Sequence, residues 1–125
     1  MNTSAAMQSY GHVQVNGGVQ DASSHRLILM LFEGLFTRIA QAKGAMQQKD
    51  LQNKGQKITE AMNIVVGLRE FLDLQNGGEL AQNLDSLYEY VQRGLLDAHL
   101  NNDAARLDEC RELLMQVSGA WAEIS

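Results

Sequence analysis

Apolar residues recur at spacings of three and four from about residue 24 to the end of the chain, and no stretch alternates as a β-strand would. This spacing puts the apolar side chains on one face of an α-helix. The chain contains no proline, so no residue breaks a helix from within. The pattern therefore predicts an all-α domain.

Three short polar breaks divide this pattern into four helices. The breaks lie at residues 49–50, 76–78 and 101–102, where Asp and Asn favour helix starts and Gly favours helix ends. The predicted helices span about 24–48, 51–74, 79–100 and 103–124. Because the connections are short, consecutive helices must be antiparallel. The predicted fold is an antiparallel up-and-down four-helix bundle.

The last three helices each carry an apolar seam of the kind that faces a bundle core. The seam residues are Leu51, Ile58, Ala61, Val65, Leu68 and Leu72 in the second helix, Leu80, Leu84, Leu87, Val91 and Ala98 in the third, and Leu107, Cys110, Leu114, Val117, Trp121 and Ile124 in the fourth. The first helix is apolar over a wider arc, so we expect it to be the most buried. For Trp121, a place in the core and a place along a groove both stay open.

Further large apolar residues fall outside the seams, and they suggest a groove for a partner helix. These residues are Met62, Val66, Phe71, Tyr88, Leu95, Leu100 and Leu113. A broader core-facing stripe would explain any single one of them. We place the groove between the second and third helices, lined by Ile58, Met62, Val65, Val66, Leu84, Leu87, Tyr88 and Val91. Met62 and Val66 test this groove most cleanly, because the members that lie in the seams favour the core.

The first 22 residues do not follow the helical pattern. They are rich in Ser, Asn, Gln and Gly, with isolated apolar residues that include Tyr10, Val13 and Val15. Such a composition does not support a packed core of its own. We predict a flexible N-terminal arm over 1–22, followed by one four-helix domain over 23–125.

Charge and composition exclude several classes of function. Fifteen acidic and ten basic residues give a net charge of −5, and the basic residues are scattered, which argues against nucleic acid as a partner. The N-terminus lacks the pattern of a secretory signal, and no apolar run approaches the ~20 residues that cross a bilayer. The single cysteine, Cys110, fits a reducing compartment. The expectation is a cytoplasmic protein without membrane insertion.

No constellation of catalytic or metal-binding residues stands out. His12, His25 and His99 are far apart, and none follows a glutamate at the spacing used in di-iron bundles. Cys110 lies in a core seam, where burial raises the pKa of a thiol and makes it unreactive. Gly77 and Gly78 lack the lysine of a phosphate-binding loop. We predict no catalytic residue, no metal, no cofactor and no enzymatic activity.

Several stretches together resemble the FliS family of flagellar secretion chaperones. They are the arm with Tyr10, Val13 and Val15, the segment ASSHRLILMLFEG at 22–34, the segment GGELAQNLDSLYEY at 77–90 and the segment LLDAHLNND at 95–103. None of them alone is diagnostic, but they occur in the right order and extend over most of the chain.

The resemblance implies a four-helix export chaperone that binds the disordered C-terminal segment of flagellin, prevents premature polymerisation and delivers it to a flagellar export gate protein. It also implies that the arm, including Tyr10, covers part of the client surface when no client is bound. We take Tyr10, Val13 and Val15 as the candidate plug, and a disordered tail that touches nothing is the alternative. Two other classes of protein stay open: a histidine phosphotransfer module and an unrelated helical adaptor. The sequence leaves the oligomeric state undecided, with a homodimer among the alternatives.

Overall fold

The computed structural model describes the backbone of residues 20–124 and the side chains of residues 24–124. It contains four helices in this range: α1 (Gln20–Gln47), α2 (Leu51–Glu70), α3 (Gly78–Asn101) and α4 (Ala104–Glu123). Each helix packs against the next one along the chain, and α4 also packs against α1. The described residues form an antiparallel four-helix bundle, as the sequence predicts.

Two aspartates mark helix starts where the sequence predicts them. The side chain of Asp50 accepts a hydrogen bond from the backbone N–H of Asn53 at 3.2 Å. Asp103 accepts one from the backbone N–H of Arg106 at 3.1 Å. These contacts satisfy N–H groups that have no partner inside the first turn of a helix. Before Asp103, Asn102 adopts the left-handed conformation with φ 51°, which ends α3.

The structure corrects two predicted helix bounds. Helix α1 begins at Gln20 rather than near residue 24, so the predicted arm overlaps it by residues 20–22. Helix α2 ends at Glu70 rather than near residue 74. The reason is local, because the Asp73 carboxylate accepts hydrogen bonds from the backbone N–H groups of Gln75 and Asn76 at 3.2 and 3.0 Å. Such an Asp-centred turn competes with helix continuation.

The core follows the predicted seams in α2 and α4, but in α3 it follows the predicted seam only in part, through Val91 and Ala98. The buried residues of α3 are Ala81, Tyr88, Val91, Gly94, Leu95 and Ala98. The prediction that Leu80 and Leu87 face the core was wrong, because α3 is rotated so that Tyr88 and Leu95 point inward instead. Leu84 is half-buried and packs against the core cluster. At the ends of their seams, Leu51 and Ile124 are also exposed.

Cys110 occupies the core position that the sequence predicts for it. The side chain is fully buried beside Gly94, where an added Cβ atom would lie 2.6 Å from its Sγ. Burial raises the pKa of the Cys110 thiol to about 11. The thiol is therefore protonated at neutral pH and fills space as a small apolar group.

The two ends of the bundle are built differently. One end, called here the clamped end, contains the turns at 48–50 and 102–103. There Lys54, which is 5% exposed, reaches from α2 to the end of α3 and donates to the His99 carbonyl oxygen at 3.0 Å and to Asn102 Oδ1. Its positive charge lies where the α3 dipole is negative. The other end, called here the cleft end, contains the start of α1, the 71–77 connection and the end of α4.

None of the described helices is long and apolar enough to span a membrane.

Candidate binding cleft

The cleft end opens into an apolar cavity of about 410 Å³ between all four helices. It lies where the bundle core stops, so its floor is continuous with the core through Phe32, Leu68 and Tyr88. A volume of this size falls within the ~300–1,000 Å³ typical of ligand sites in proteins. The cavity can therefore hold several side chains of a partner.

Each helix contributes large apolar side chains to the walls of this cleft. Helix α1 supplies Ile28 and Phe32, and the end of α2 with the following connection supplies Leu68, Phe71 and Leu72. Helix α3 supplies Leu80, Leu84, Leu87 and Tyr88. Helix α4 supplies Leu113, Val117, Ala120, Trp121 and Ile124. Gln116 is the one polar residue among the described lining residues.

The chemistry of the cleft excludes a strongly polar ligand. Burial raises the pKa of the Tyr88 phenol to about 12, so this hydroxyl stays protonated at neutral pH. An apolar lining offers little to orient charged or hydrogen-bonding groups. It suits the apolar face of an amphipathic helix, which needs burial and few directed bonds.

An ion pair joins the two helices that form one wall of the cleft. Arg69, next to Leu68, donates from Nε to Asp85 Oδ1 at 2.8 Å, and Asp85 is next to Leu84. The hydrogen bond from Arg69 lowers the pKa of Asp85 below its ordinary value. Arg69 also donates to Gln92 Oε1 at 3.3 Å. These bonds fix α3 relative to the end of α2 and so hold the cleft wall in place.

The eight residues of the predicted groove lie in three different places. Leu84, Leu87 and Tyr88 line the cleft. Ile58, Val65 and Val91 are buried in the bundle core. Met62 is half-buried and Val66 is exposed on α2, and neither lines the cleft. The candidate plug residues Tyr10, Val13 and Val15 lie outside the described residues.

Met62 and Val66 lie on α2 outside the cleft, and Met62 is at the contact between α2 and α3. The amide of Gln92 donates to the Met62 carbonyl oxygen at 3.1 Å and joins the two helices here. On α3, one and two turns further along, Leu96 and Leu100 are exposed. These four residues, called here the outer strip, are exposed or half-buried, and none of them lines the cleft.

Several cleft residues were not assigned to a groove on the sequence. Phe71 and Leu113 stood out as apolar residues outside the seams, and that signal could have pointed to them. Leu72, Leu80 and Val117 were expected in the core. All three lie in the predicted apolar seams of their helices. At the cleft end, however, Leu72 and Val117 are only half-buried and Leu80 is exposed.

The described histidines are held by packing contacts. The His25 ring stacks on Trp121 with the ring centroids 4.9 Å apart. His99 is half-buried, and its Nδ1 atom is buried without a hydrogen-bond partner. A phosphotransfer histidine must project into solvent, whereas His25 and His99 are both half-buried. Among the described residues, no group of His, Cys, Asp or Glu side chains is arranged to hold a metal ion.

The fold and the cleft define a class: a small helical bundle with an apolar cleft that is open at one end. Comparison with known proteins identifies the family. The family model described as "Flagellar protein FliS" matches residues 6–125. The chain therefore belongs to the FliS family, as the sequence motifs suggest.

Named relatives resemble the chain over nearly its whole length. The flagellar secretion chaperone FliSB of Pseudomonas aeruginosa is 47% identical over 120 residues, which cover 96% of this chain and 95% of that protein. The flagellar secretion chaperone FliS of Salmonella typhimurium is 40% identical over 126 residues, covering 100% of this chain and 93% of that protein. The Vibrio cholerae FliS is 34% identical over 95% of this chain and 88% of its own length. These relatives carry the name of a chaperone class, which agrees with the expectation of a flagellar export chaperone.

Proposed function

We propose that this protein is a cytoplasmic flagellar export chaperone that binds the disordered C-terminal segment of flagellin in its apolar cleft. In this role it prevents premature polymerisation and delivers flagellin to a flagellar export gate protein. The observation that carries the proposal is the 410 Å³ cleft, whose lining is almost entirely apolar. Membership of the FliS family supports the same function.

The cleft suggests how such a chaperone would act. Polymerisation requires the terminal segments of flagellin to find each other, so covering the apolar face of one segment is enough to prevent it. A disordered segment that folds on binding buries roughly 1,000–3,000 Å² and pays about 2–5 kcal/mol in ordering. The ordering cost keeps the complex reversible. Release at the export gate then needs no covalent step.

The client contacts we propose are the cleft residues Leu84, Leu87 and Tyr88. They lie on consecutive turns of α3, where half-buried Leu84 and Leu87 line the cleft and buried Tyr88 contributes to its floor. The outer strip with Met62 and Val66 provides a second contact for a client that extends beyond the cleft. Ile58, Val65 and Val91 support these contacts from inside the core.

The N-terminal arm is proposed to compete with the client for the cleft. Helix α1 begins at the cleft end, and the arm precedes it in the chain. Tyr10, Val13 and Val15 would supply apolar side chains for it. A tethered competitor lowers the apparent affinity for the client, because only the open fraction of molecules can bind.

Calorimetric titration of the full chain with a peptide of the last ~40 residues of the host flagellin tests the client proposal, with circular dichroism on the same mixture. We expect one-to-one binding, a negative heat-capacity change and a gain in helicity. Absence of both heat and added helix would contradict the proposal and favour an unrelated adaptor. Incorporation of phosphate from a phosphorylated kinase domain would instead revive the phosphotransfer class.

A full-length variant with Tyr10→Ser, Val13→Ser and Val15→Ser tests the arm. If the arm competes for the cleft, this variant binds the same peptide more tightly than the wild type does. A variant of three polar arm residues, Asn2→Ala, Thr3→Ala and Ser4→Ala, serves as the matched control. Equal affinities for all three proteins would contradict the competition.

A further inference from the structure

Two residues from opposite ends of the chain form a reciprocal contact at the mouth of the cleft. His25 Nε2 lies 2.9 Å from the Trp121 carbonyl oxygen, and Trp121 Nε1 donates to the His25 carbonyl oxygen at 3.1 Å. The rings stack with centroids 4.9 Å apart and an interplanar angle of 21°. Because a carbonyl oxygen can only accept, His25 Nε2 carries the hydrogen. Each residue therefore donates from its ring and accepts on its backbone.

Trp121 is also part of the cleft wall, so this contact bears on the binding surface. The stack fixes the tilt of the indole, and the bond from its Nε1 fixes its rotation about the side-chain torsions. An aromatic side chain that is already immobile does not lose this freedom when a partner binds. Immobilising one side chain costs an amount that corresponds to ~2- to 10-fold in affinity.

We propose that His25 is a positioning residue for the cleft: it holds the Trp121 indole in the orientation that a client helix contacts. The inference rests on the proposed function, because it assumes that the cleft binds a client segment. His25 is not among the residues that line the cleft, so it acts through Trp121 rather than through the client. The chain has a single tryptophan, which gives this position its own spectroscopic signal.

The test combines client affinity with the mobility of the indole in the free, full-length protein. His25→Ala removes the stack and the side-chain donor, whereas His25→Phe keeps an aromatic ring for stacking. Ser24→Ala, an exposed position one residue earlier, is the matched control. The readouts are the dissociation constant for the flagellin peptide and the fluorescence anisotropy decay of Trp121 without peptide.

We expect His25→Ala to weaken peptide binding by ~2- to 10-fold and to add a fast component to the anisotropy decay. His25→Phe should restore both readouts to within about twofold of the wild type. A loss of fold stability alone would not produce this pattern, because the affinity is measured at a temperature where every variant is folded.

Two results would overturn the inference. One is a His25→Ala protein that binds the peptide as tightly as the wild type. The other is a His25→Ala protein that binds the peptide more weakly while its Trp121 indole is as immobile as in the wild type. Failure of the proposed function is distinguishable from both, since in that case the wild type itself would not bind the peptide.

Discussion

The clamped end and the cleft end are made from the same kind of amphipathic helix, yet only one of them is closed. At the clamped end the core includes three small residues, Ala42, Ala45 and Ala98, all of which are buried. Buried Lys54 then joins α2 to α3. At the cleft end the residues are larger and the cavity between them stays open.

The difference shows that apolar content does not by itself decide what is buried. Leu80 and Leu100 lie near opposite ends of α3, and both are mostly exposed, at 70% and 67%. Leu80 borders a concave cavity shared by four helices, whereas Leu100 lines no part of that cavity. A concave apolar site can exclude water from a partner on several sides, and that makes the cleft end the better binding surface.

The largest expected loss of stability comes from a substitution in the fully buried core. Leu95 is fully buried, so Leu95→Ala should lower the free energy of unfolding by about 2–5 kcal/mol. Leu84→Ala in the half-covered cleft should cost clearly less, because the side chain is already partly in water. Urea unfolding of both variants measures the difference. Equal losses would mean that the cleft is packed as tightly as the core.

Removing the hydrogen bonds of the Lys54 side chain should cause the next largest loss of stability. Lys54→Met keeps most of the buried stem but leaves the His99 carbonyl and the Asn102 side chain without their donor, at a cost of about 1–3 kcal/mol. The control is Lys43→Met, which removes a surface ion pair with Asp108 at 2.9 Å and should cost less than about 1 kcal/mol. Thermal unfolding compares them. If Lys54→Met lowered the stability less than Lys43→Met does, the hydrogen bonds of Lys54 would not be what stabilises this end of the bundle.

The helix caps are expected to contribute less than the hydrogen bonds of Lys54. Asp103→Ala removes the hydrogen bond to the Arg106 N–H and should destabilise the protein by about 1 kcal/mol. Asp103→Asn, which keeps an acceptor at the same place, should lose much less. Urea midpoints of the two variants give the comparison. If Asp103→Asn lost as much stability as Asp103→Ala, the charge of Asp103 rather than its capping hydrogen bond would be what stabilises this helix start.

The smallest effect concerns the ion pair beside the cleft. Because the hydrogen bond from Arg69 lowers the pKa of folded Asp85, the pair stabilises the fold at pH values above the pKa of an unfolded aspartate, near ~4. This contribution is lost as the pH falls through the lowered pKa of Asp85. Asp85→Asn should therefore reduce stability at pH 7 by less than about 1 kcal/mol and flatten the acid limb of the stability curve. Unfolding at several pH values below 5 measures it.

The four helices could be predicted because their signals are local. Asp50 and Asp103 cap helices through residues three positions away, and the apolar spacing needs only one turn of context. The seam of α3 could not be chosen in this way. Two sets of apolar positions in α3 have helical spacing, and only the neighbouring helices decide which set faces inward. The predicted set contains positions 84, 87, 91 and 98, and the observed set contains positions 81, 88, 91, 95 and 98.

The cleft was harder to predict than the fold, because it depends on how four helix ends diverge. Leu84, Leu87 and Tyr88 were selected on the sequence and line the cleft, but as part of a groove placed between two helices only. The contact of His25 with Trp121 joins positions 96 residues apart. No local pattern in the sequence could have indicated it.

A matched pair of substitutions on α3 tests the central claim, that the cleft end is the client site. Leu80→Glu places a charge at the rim of the cleft, and Leu100→Glu makes the same change at a similarly exposed position of the clamped end. The helix dipole favours a glutamate near the start of α3 and disfavours one near its end, so a loss of helix stability cannot explain weaker binding by Leu80→Glu.

The measurement is the dissociation constant of each full-length variant for the flagellin C-terminal peptide. The cleft predicts at least about tenfold weaker binding for Leu80→Glu and a change of less than about threefold for Leu100→Glu. Equal losses, or a greater loss for Leu100→Glu, would contradict the assignment of the client site to the cleft end.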